Sequence, residues 1–264
     1  MNGSRKFGVE IEFLGNEQRV IECLEREGIH ARFQGYSHQT MSTWKIVTDS
    51  SVAGNGGSGL ELVSPPMRGE DGRRQIEAAC RALAAAGARV NKTCGLHVHH
   101  DASDLDVRRL KGLVRLYQRS EAVLDTLHPK SRQNNSYCRT TASIDLEWGR
   151  DEAGPEEFAR MIDNACSRYL KLNLAAYRRH GTVEFRQHAG TTNAAKIWHW
   201  VVLTQAMVEK AAGGRLSLTA GILPNWQRVK QAIGLTTYWG GSETEQAAAE
   251  YYGGRRMALQ AASV

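Results

Sequence analysis

Residues 182–188 read T-V-E-F-R-Q-H. Taken as a strand, this stretch has side chains that alternate faces. Val183 and Phe185 go one way, and Glu184, Arg186 and His188 go the other. A half-buried strand normally carries neutral polar groups on its outer face. This one carries an acid, a guanidinium and an imidazole in a row, which suits metal and phosphate. Two further stretches repeat the pattern. In F-G-V-E-I-E-F-L, residues 7–14, Phe7, Val9, Ile11 and Phe13 share one face, and Glu10 and Glu12 the other. In G-L-H-V-H-H-D, residues 95–101, Leu96 and Val98 oppose His97, His99 and Asp101. Strands that are apolar behind and ionisable in front predict one sheet whose front face is a site.

Composition sets the outer bounds. The chain has 264 residues, within the range of one domain, and is 41% hydrophobic, enough for a sizeable core. Its net charge is +6 and its pI about 9.1. That excess would draw nucleic acid, ATP or an acidic peptide alike. No dense Lys/Arg run or aromatic stacking motif indicates nucleic acid as the main partner. The five cysteines, Cys23, Cys80, Cys94, Cys138 and Cys166, include no C-x-x-C pair, which supports neither a disulfide framework nor a zinc ribbon. No apolar run approaches the roughly 20 residues that span a bilayer. With no apolar signal-peptide core near the N-terminus, a cytoplasmic location is the expectation.

Around these strands the pattern predicts alternating elements. A helix follows from about Asn16 to Glu27, closed by Gly28. Trp44 to Thr48 reads as a strand ending at Asp49. The glycine-rich run Ala53 to Gly59 reads as a hairpin connection, because no Gly-Lys-Ser/Thr follows to make a P-loop. Gly59 to Val63 is a strand with Glu61 facing away from Leu60 and Leu62, stopped by Pro65-Pro66. Glu70 to Ala86 is helical. Ser103 is expected to cap a helix reaching Leu127, with Leu110, Leu113, Val114 and Tyr117 inward. A helix from Pro155, a strand over Arg168 to Ala176 and a helix from Asn193 to about Lys210 complete the body. Residues 215–264 read as a helical C-terminal extension of the same single domain, 1–264.

The charged positions carry the chemistry. Glu10 and Glu12 on one face of a strand lie roughly 7 Å apart. At an effective dielectric near 20, two unit charges that close repel by about 2–3 kcal/mol. Glu61 and Glu184 add to this unless cations sit there. Carboxylates with imidazole suit Mg²⁺ or Mn²⁺, and the lack of thiolates disfavours a structural zinc. The competing account is a solvated sheet face paired to Arg186. His97 and His99 alone are ambiguous, since a strand histidine is often a satisfied core or surface group. Arg186 cannot ligate a metal, but its planar fork fits phosphate or carboxylate. A divalent ion beside an arginine is the equipment of phosphoryl transfer. Simple pairing of Arg186 with Glu184 or Glu10 stays open.

Four islands in order carry a resemblance: F-G-V-E-I-E-F, G-L-E-L-V-S-P, C-G-L-H-V-H, and V-E-F-R-Q-H with G-T-T-N. Together, over about Phe7 to Val208, they resemble the amidoligase family, compact relatives of glutamine synthetase and glutamate–cysteine ligase. The resemblance implies an α+β fold, a glutamine-synthetase-like curved and largely antiparallel sheet with helices on its outer face. It implies ATP-dependent joining of a carboxylate substrate to an amine, with Mg²⁺ or Mn²⁺ as two or more ions. By motif, Glu10, His97 and Glu184 would hold the metal near the ATP phosphates, and Glu12 and Glu61 the metal near the substrate carboxylate. His99 would lie near the nucleotide, and Arg186 would stabilise the transferred phosphoryl. N-S-Y-C-R, residues 135–139, is similar to the N-S-Y-K-R of glutamine synthetase and makes Arg139 a candidate for a substrate carboxylate or phosphate. Asp49-Ser50-Ser51 departs from the Asp-Gly-Ser common in relatives, and Glu61 is the one clear acid in the second-strand region. Two rivals remain from the residues alone. One is a metal-dependent hydrolase or nuclease using the same acids, and the other a non-catalytic basic binding module.

Overall fold

The structure, a computed structural model, describes residues 5–37, 39–53, 59–133, 135–147, 154–166, 168–214, 216, 221–235 and 242–261. It is α+β, with mixed but mainly antiparallel strand pairing. The chain divides into two compact units, each assembled from separate segments.

One unit comprises Gly3–His99 and His188–Trp198. It holds strand β1 (Phe7–Leu14), helix α1 (Glu17–Arg26), strands β2 (Ala31–Phe33), β3 (Trp44–Thr48) and β4 (Gly59–Val63), helix α2 (Gly69–Ala85) and the start of β5 (Gly95–Asp101). The strands lie in the order β2-β3-β4-β1-β5. β4 runs antiparallel to both β1 and β3, while β2 and β3 are parallel. Period-two alternation builds this sheet: Phe7, Val9, Ile11, Phe13, Ile46, Leu60, Leu62, Leu96 and Val98 are all buried. The Asn16 side chain accepts from Arg19 N at 2.9 Å and so caps α1, as its sequence position suggests. Gly28 closes that turn with a left-handed φ of 75°. Helix α2 lies on the apolar side of β1. A Cβ on Gly72 would come within 2.5 Å of the Phe7 ring, so only glycine lets helix and strand approach this closely. Trp44 Nε1 donates to Gln75 of α2 at 3.1 Å, which keeps β3 on the same side. The charged face of the strands therefore points away from α2. Of the predicted connection Ala53 to Gly59, residues 54–58 lie outside the described residues.

The other unit comprises His100–Gln187 and His199–Val264. It holds α3 (Val107–Asp125), short 3-10 turns at Lys130–Arg132 and Thr141–Ser143, α4 (Pro155–Cys166), β6 (Leu172–Asn173) and α5 (Ala175–His180). Nearly all of β7 (Thr182–Ala189), the bulk of α6 (Ala194–Ala212), α7 (Trp226–Ile233) and α8 (Glu243–Ala261) complete it. β6 pairs antiparallel with β7, setting Leu172 against Phe185 and Asn173 against Glu184. Leu110, Leu113, Val114 and Tyr117 are buried, as the helical spacing predicts.

Two expectations are corrected. Asp106, not Ser103, caps α3, accepting from Arg109 N at 2.8 Å. Ser103 is taken up by a turn in which its N–H and hydroxyl both donate to Asp101. The strand expected over Arg168 to Ala176 shrinks to two residues. Asn173 Oδ1 accepts from Ala175 N at 2.8 Å, which turns the chain into α5. Among the described residues, no helix is long and apolar enough to cross a membrane.

Candidate active site

Glu10 and Glu12 leave β1 on the side away from α2, and the β1–β4 register sets Glu12 directly opposite Glu61. His97 and His99 project from β5. His97 Nδ1 lies 3.2 Å from Glu10 and 3.8 Å from Glu61, and its Nε2 lies 3.4 Å from Glu12. His99 Nε2 lies 3.3 Å from Glu10. Glu12 is fixed at its other oxygen by Gly95 N–H, 2.6 Å away. Five of the residues expected from sequence thus meet in one unit. Four of them, together with Asp49, form two sets whose donor atoms lie within 4.8 Å of one another, Glu10–Glu61–His97 and Glu12–Asp49–Glu61. Glu61 belongs to both.

Such a cluster is costly without a cation. Two carboxylates at 4.8 Å repel by about 3–4 kcal/mol at an effective dielectric near 20. The groups respond in opposite directions. Burial, and then the charges of Glu10, Glu12 and Asp49, push the Glu61 carboxyl well above the usual carboxylate range. Burial would raise Glu10 too, but His99 and His97 overcome it and hold that carboxyl well below the range. The donors are oxygens and imidazole nitrogens, with no thiolate in either set. That chemistry fits a hard divalent cation such as Mg²⁺ or Mn²⁺.

Two members were missed in the sequence. Asp49, at the end of β3, enters the second set, with Oδ1 accepting from the N–H and hydroxyl of Ser51, both at 2.7 Å. The D-S-S turn was the available signal. Lys45 stands in register with Val63, and Val63 with Glu10, so it shares the acid face. It is only 4% exposed, and its Nζ donates to the carbonyls of Ser37 and Gln39 at 2.9 and 2.8 Å. Burial lowers its pKa, while Glu10 and Glu61 oppose that shift. One lysine inside W-K-I-V-T reads as a surface residue, and nothing local betrays its burial.

Of the remaining predicted residues, Arg139, Glu184, Arg186 and Asp101 belong to the second unit and His188 to the first. Glu184 is buried on β7, with one oxygen ion-paired to Arg186 Nη1 and the other accepting from Asn173 Nδ2 at 2.6 Å. The pairing of Arg186 with Glu184 left open by the sequence is therefore present. Arg186 Nε also reaches the Tyr137 carbonyl at 3.4 Å. Arg139 has an exposed side chain on a backbone that bridges Leu170 in parallel fashion. His188 is buried, its Nδ1 2.7 Å from the Ala189 carbonyl, which accepts and so places the proton on Nδ1. Asp101 serves the Ser103 turn and belongs to neither cation set.

No curated protein matches the chain. Residues 3–208 match a family described as putative amidoligase enzyme, and the match contains all four motif islands and every residue placed above. With most of its length inside that match, the chain belongs to the amidoligase enzyme family.

Proposed function

We propose that the protein is an ATP-dependent carboxylate–amine ligase that forms an amide or isopeptide bond through an acyl phosphate. The observation that carries this is the pair of donor sets sharing Glu61, one of two acids and an imidazole and one of three acids, in a chain whose family is that of amidoligases. Glu10, His97 and Glu184 would hold one cation beside the ATP phosphates. Glu12 and Glu61, joined by Asp49, would hold a second beside the substrate carboxylate. Divalent cations there would neutralise phosphate charge and let an anionic carboxylate approach it. His99 would lie beside the nucleotide. Arg186 would stabilise charge on the transferred phosphoryl, and Arg139 would hold a substrate carboxylate or phosphate. A glutamine-synthetase-like curvature of the sheet belongs to the same proposal.

The steps balance. A carboxylate oxygen attacks the γ-phosphorus, and ADP leaves with the bridging oxygen. The amine nitrogen attacks the acyl carbon, inorganic phosphate leaves, and the nitrogen sheds a proton to give the amide. Incubation with ATP, Mg²⁺ and pooled acids and amines is expected to release ADP and phosphate only when an acid is present. Hydroxylamine should trap the acyl phosphate as a hydroxamate. The shared carboxylate also suits two-metal hydrolysis. Metal-dependent cleavage of phosphodiesters or amides without nucleotide, together with no acid-stimulated ADP release, would replace the ligase by a hydrolase.

A further inference from the structure

Lys171 plays no part in the chemistry above, yet its side chain is buried, with only 1% exposed. Its Nζ donates to Glu121 Oε1 at 2.9 Å and to Asp125 Oδ1 at 2.6 Å, both on α3. The second Glu121 oxygen accepts from Thr141, from its N–H at 2.9 Å and from its hydroxyl. Asp125 also accepts from Gln187 Nε2 at 2.5 Å, and Gln187 in turn accepts from Tyr117 OH at 2.6 Å. Each polar group of this cage meets another.

The backbone of the same residue touches both candidate arginines. Lys171 N–H donates to the Arg139 carbonyl at 2.8 Å, and the Lys171 carbonyl accepts from Arg186 N–H at 2.9 Å. The Arg139–Thr141 segment is thereby held at both ends, by the Lys171 peptide at Arg139 and through Glu121 at Thr141. Arg132 adds a clamp on the other side, donating from Nη2 to the Arg186 carbonyl at 2.6 Å. For stability alone an apolar side chain of similar volume would serve as well, because burying ions is expensive. What a charged cage adds is a fixed register, since its hydrogen bonds are satisfied in one arrangement only.

We propose that Lys171 is a positioning residue: its caged ammonium anchors the peptide that fixes Arg139 and Arg186 with respect to each other, and acid activation depends on that alignment. The proposal rests on the ligase reading above for its kinetic consequence, but not for its structural one.

The test is the triple variant Lys171→Met/Glu121→Gln/Asp125→Asn, which removes the cage charges together and strands no buried ion. It is expected to melt close to wild type and to bind Mn²⁺ within about twofold of wild type, because the two cation sets of the first unit are untouched. Backbone exchange at Arg139 and Arg186 should accelerate at least about tenfold. Turnover should fall about 10- to 100-fold, with KM for the acid raised and KM for ATP within about threefold. A folded triple variant with wild-type turnover and exchange would overturn the proposal. If the triple variant does not fold, Thr141→Val decides by the same readouts. It deletes one cage hydroxyl and should raise acid KM and Arg139 exchange, and an unchanged pair of values sinks the idea. Wild-type protein with no ATP turnover would remove the ligase reading, and the exchange measurement would still decide the anchor.

Discussion

Glu61 is the residue that the two donor sets of the first unit share. It faces Glu12 across the β1–β4 pair, where like charges directly opposite destabilise a sheet. Glu61→Gln should therefore act in two directions. The metal-free variant should melt higher than wild type, by about 1 kcal/mol equivalent, because an amide does not repel its neighbours. Mn²⁺ affinity should drop by about 100-fold or more, whereas Glu12→Gln should leave the Glu10–Glu61–His97 set with measurable affinity. Calorimetric titration and metal-free melts read both, and a destabilised apo Glu61→Gln would contradict the electrostatic account. Glu121 shows the opposite sign away from the site. Burial would raise its carboxyl, but Thr141 and Lys171 hold it below the ordinary value of 4.5. A depressed carboxyl contributes stability above its unfolded pKa and loses it as pH falls through the folded one. Glu121→Gln should accordingly cost on the order of 2 kcal/mol at neutral pH. The gap to wild type should close as pH falls below 4.5 in paired denaturation curves. A gap that stays constant into acid would mean the charge of Glu121 contributes nothing.

At the scale of elements, the strand ends place Asp49. A Cβ on Gly59 would lie 2.2 Å from the Asp49 carbonyl and 2.6 Å from Val52 Cβ, at the point where Asp49 N–H donates to Gly59 O at 2.9 Å. Backbone on both sides cannot give way cheaply. Gly59→Ala should cost about 1–3 kcal/mol and displace Asp49, weakening Mn²⁺ binding although no ligand is mutated. Melts and metal titration measured together check this, and loss of stability with unchanged Mn²⁺ affinity would exclude Asp49 from the site. These elements also show what the chain discloses. Strands β1, β3, β4 and β7 were legible because their apolar period is two and each is bounded by glycine, proline or a turn. The acids and imidazoles stood out because alternation puts them where neutral side chains are usual. β6 misled, since Leu170, Leu172 and Leu174 alternate like a strand while Asn173 turns the next residues into a helix. Lys45 and Lys171 were invisible for a different reason. Lys171 finds its carboxylates at positions 121 and 125, and no window of sequence contains such a pair.

For the molecule as a whole, the two units carry different chemistry. Glu10, Glu12, Asp49, Glu61, His97 and His99 belong to one, and Glu184, Arg186 and Arg139 to the other. A divalent cation bound only by the folded state stabilises it by mass action, about 2.7 kcal/mol at 100 times its Kd. For a chain of this size that corresponds to a rise in Tm on the order of 5–10 °C. Saturating Mn²⁺ or Mg²⁺ should raise Tm by that amount, excess EDTA should reverse it, and Glu12→Gln should diminish it. Glu184→Gln then asks whether the second unit shares in holding the ions. If Glu184 completes a cation site with Glu10 and His97, its amide variant should lose part of the Mn²⁺ shift while Arg186→Lys keeps it, because an arginine ligates no metal. A full Mn²⁺ shift in Glu184→Gln would confine the cations to the first unit. Glu184 would then be left as the carboxylate that orients Arg186, a role its existing ion pair already supports.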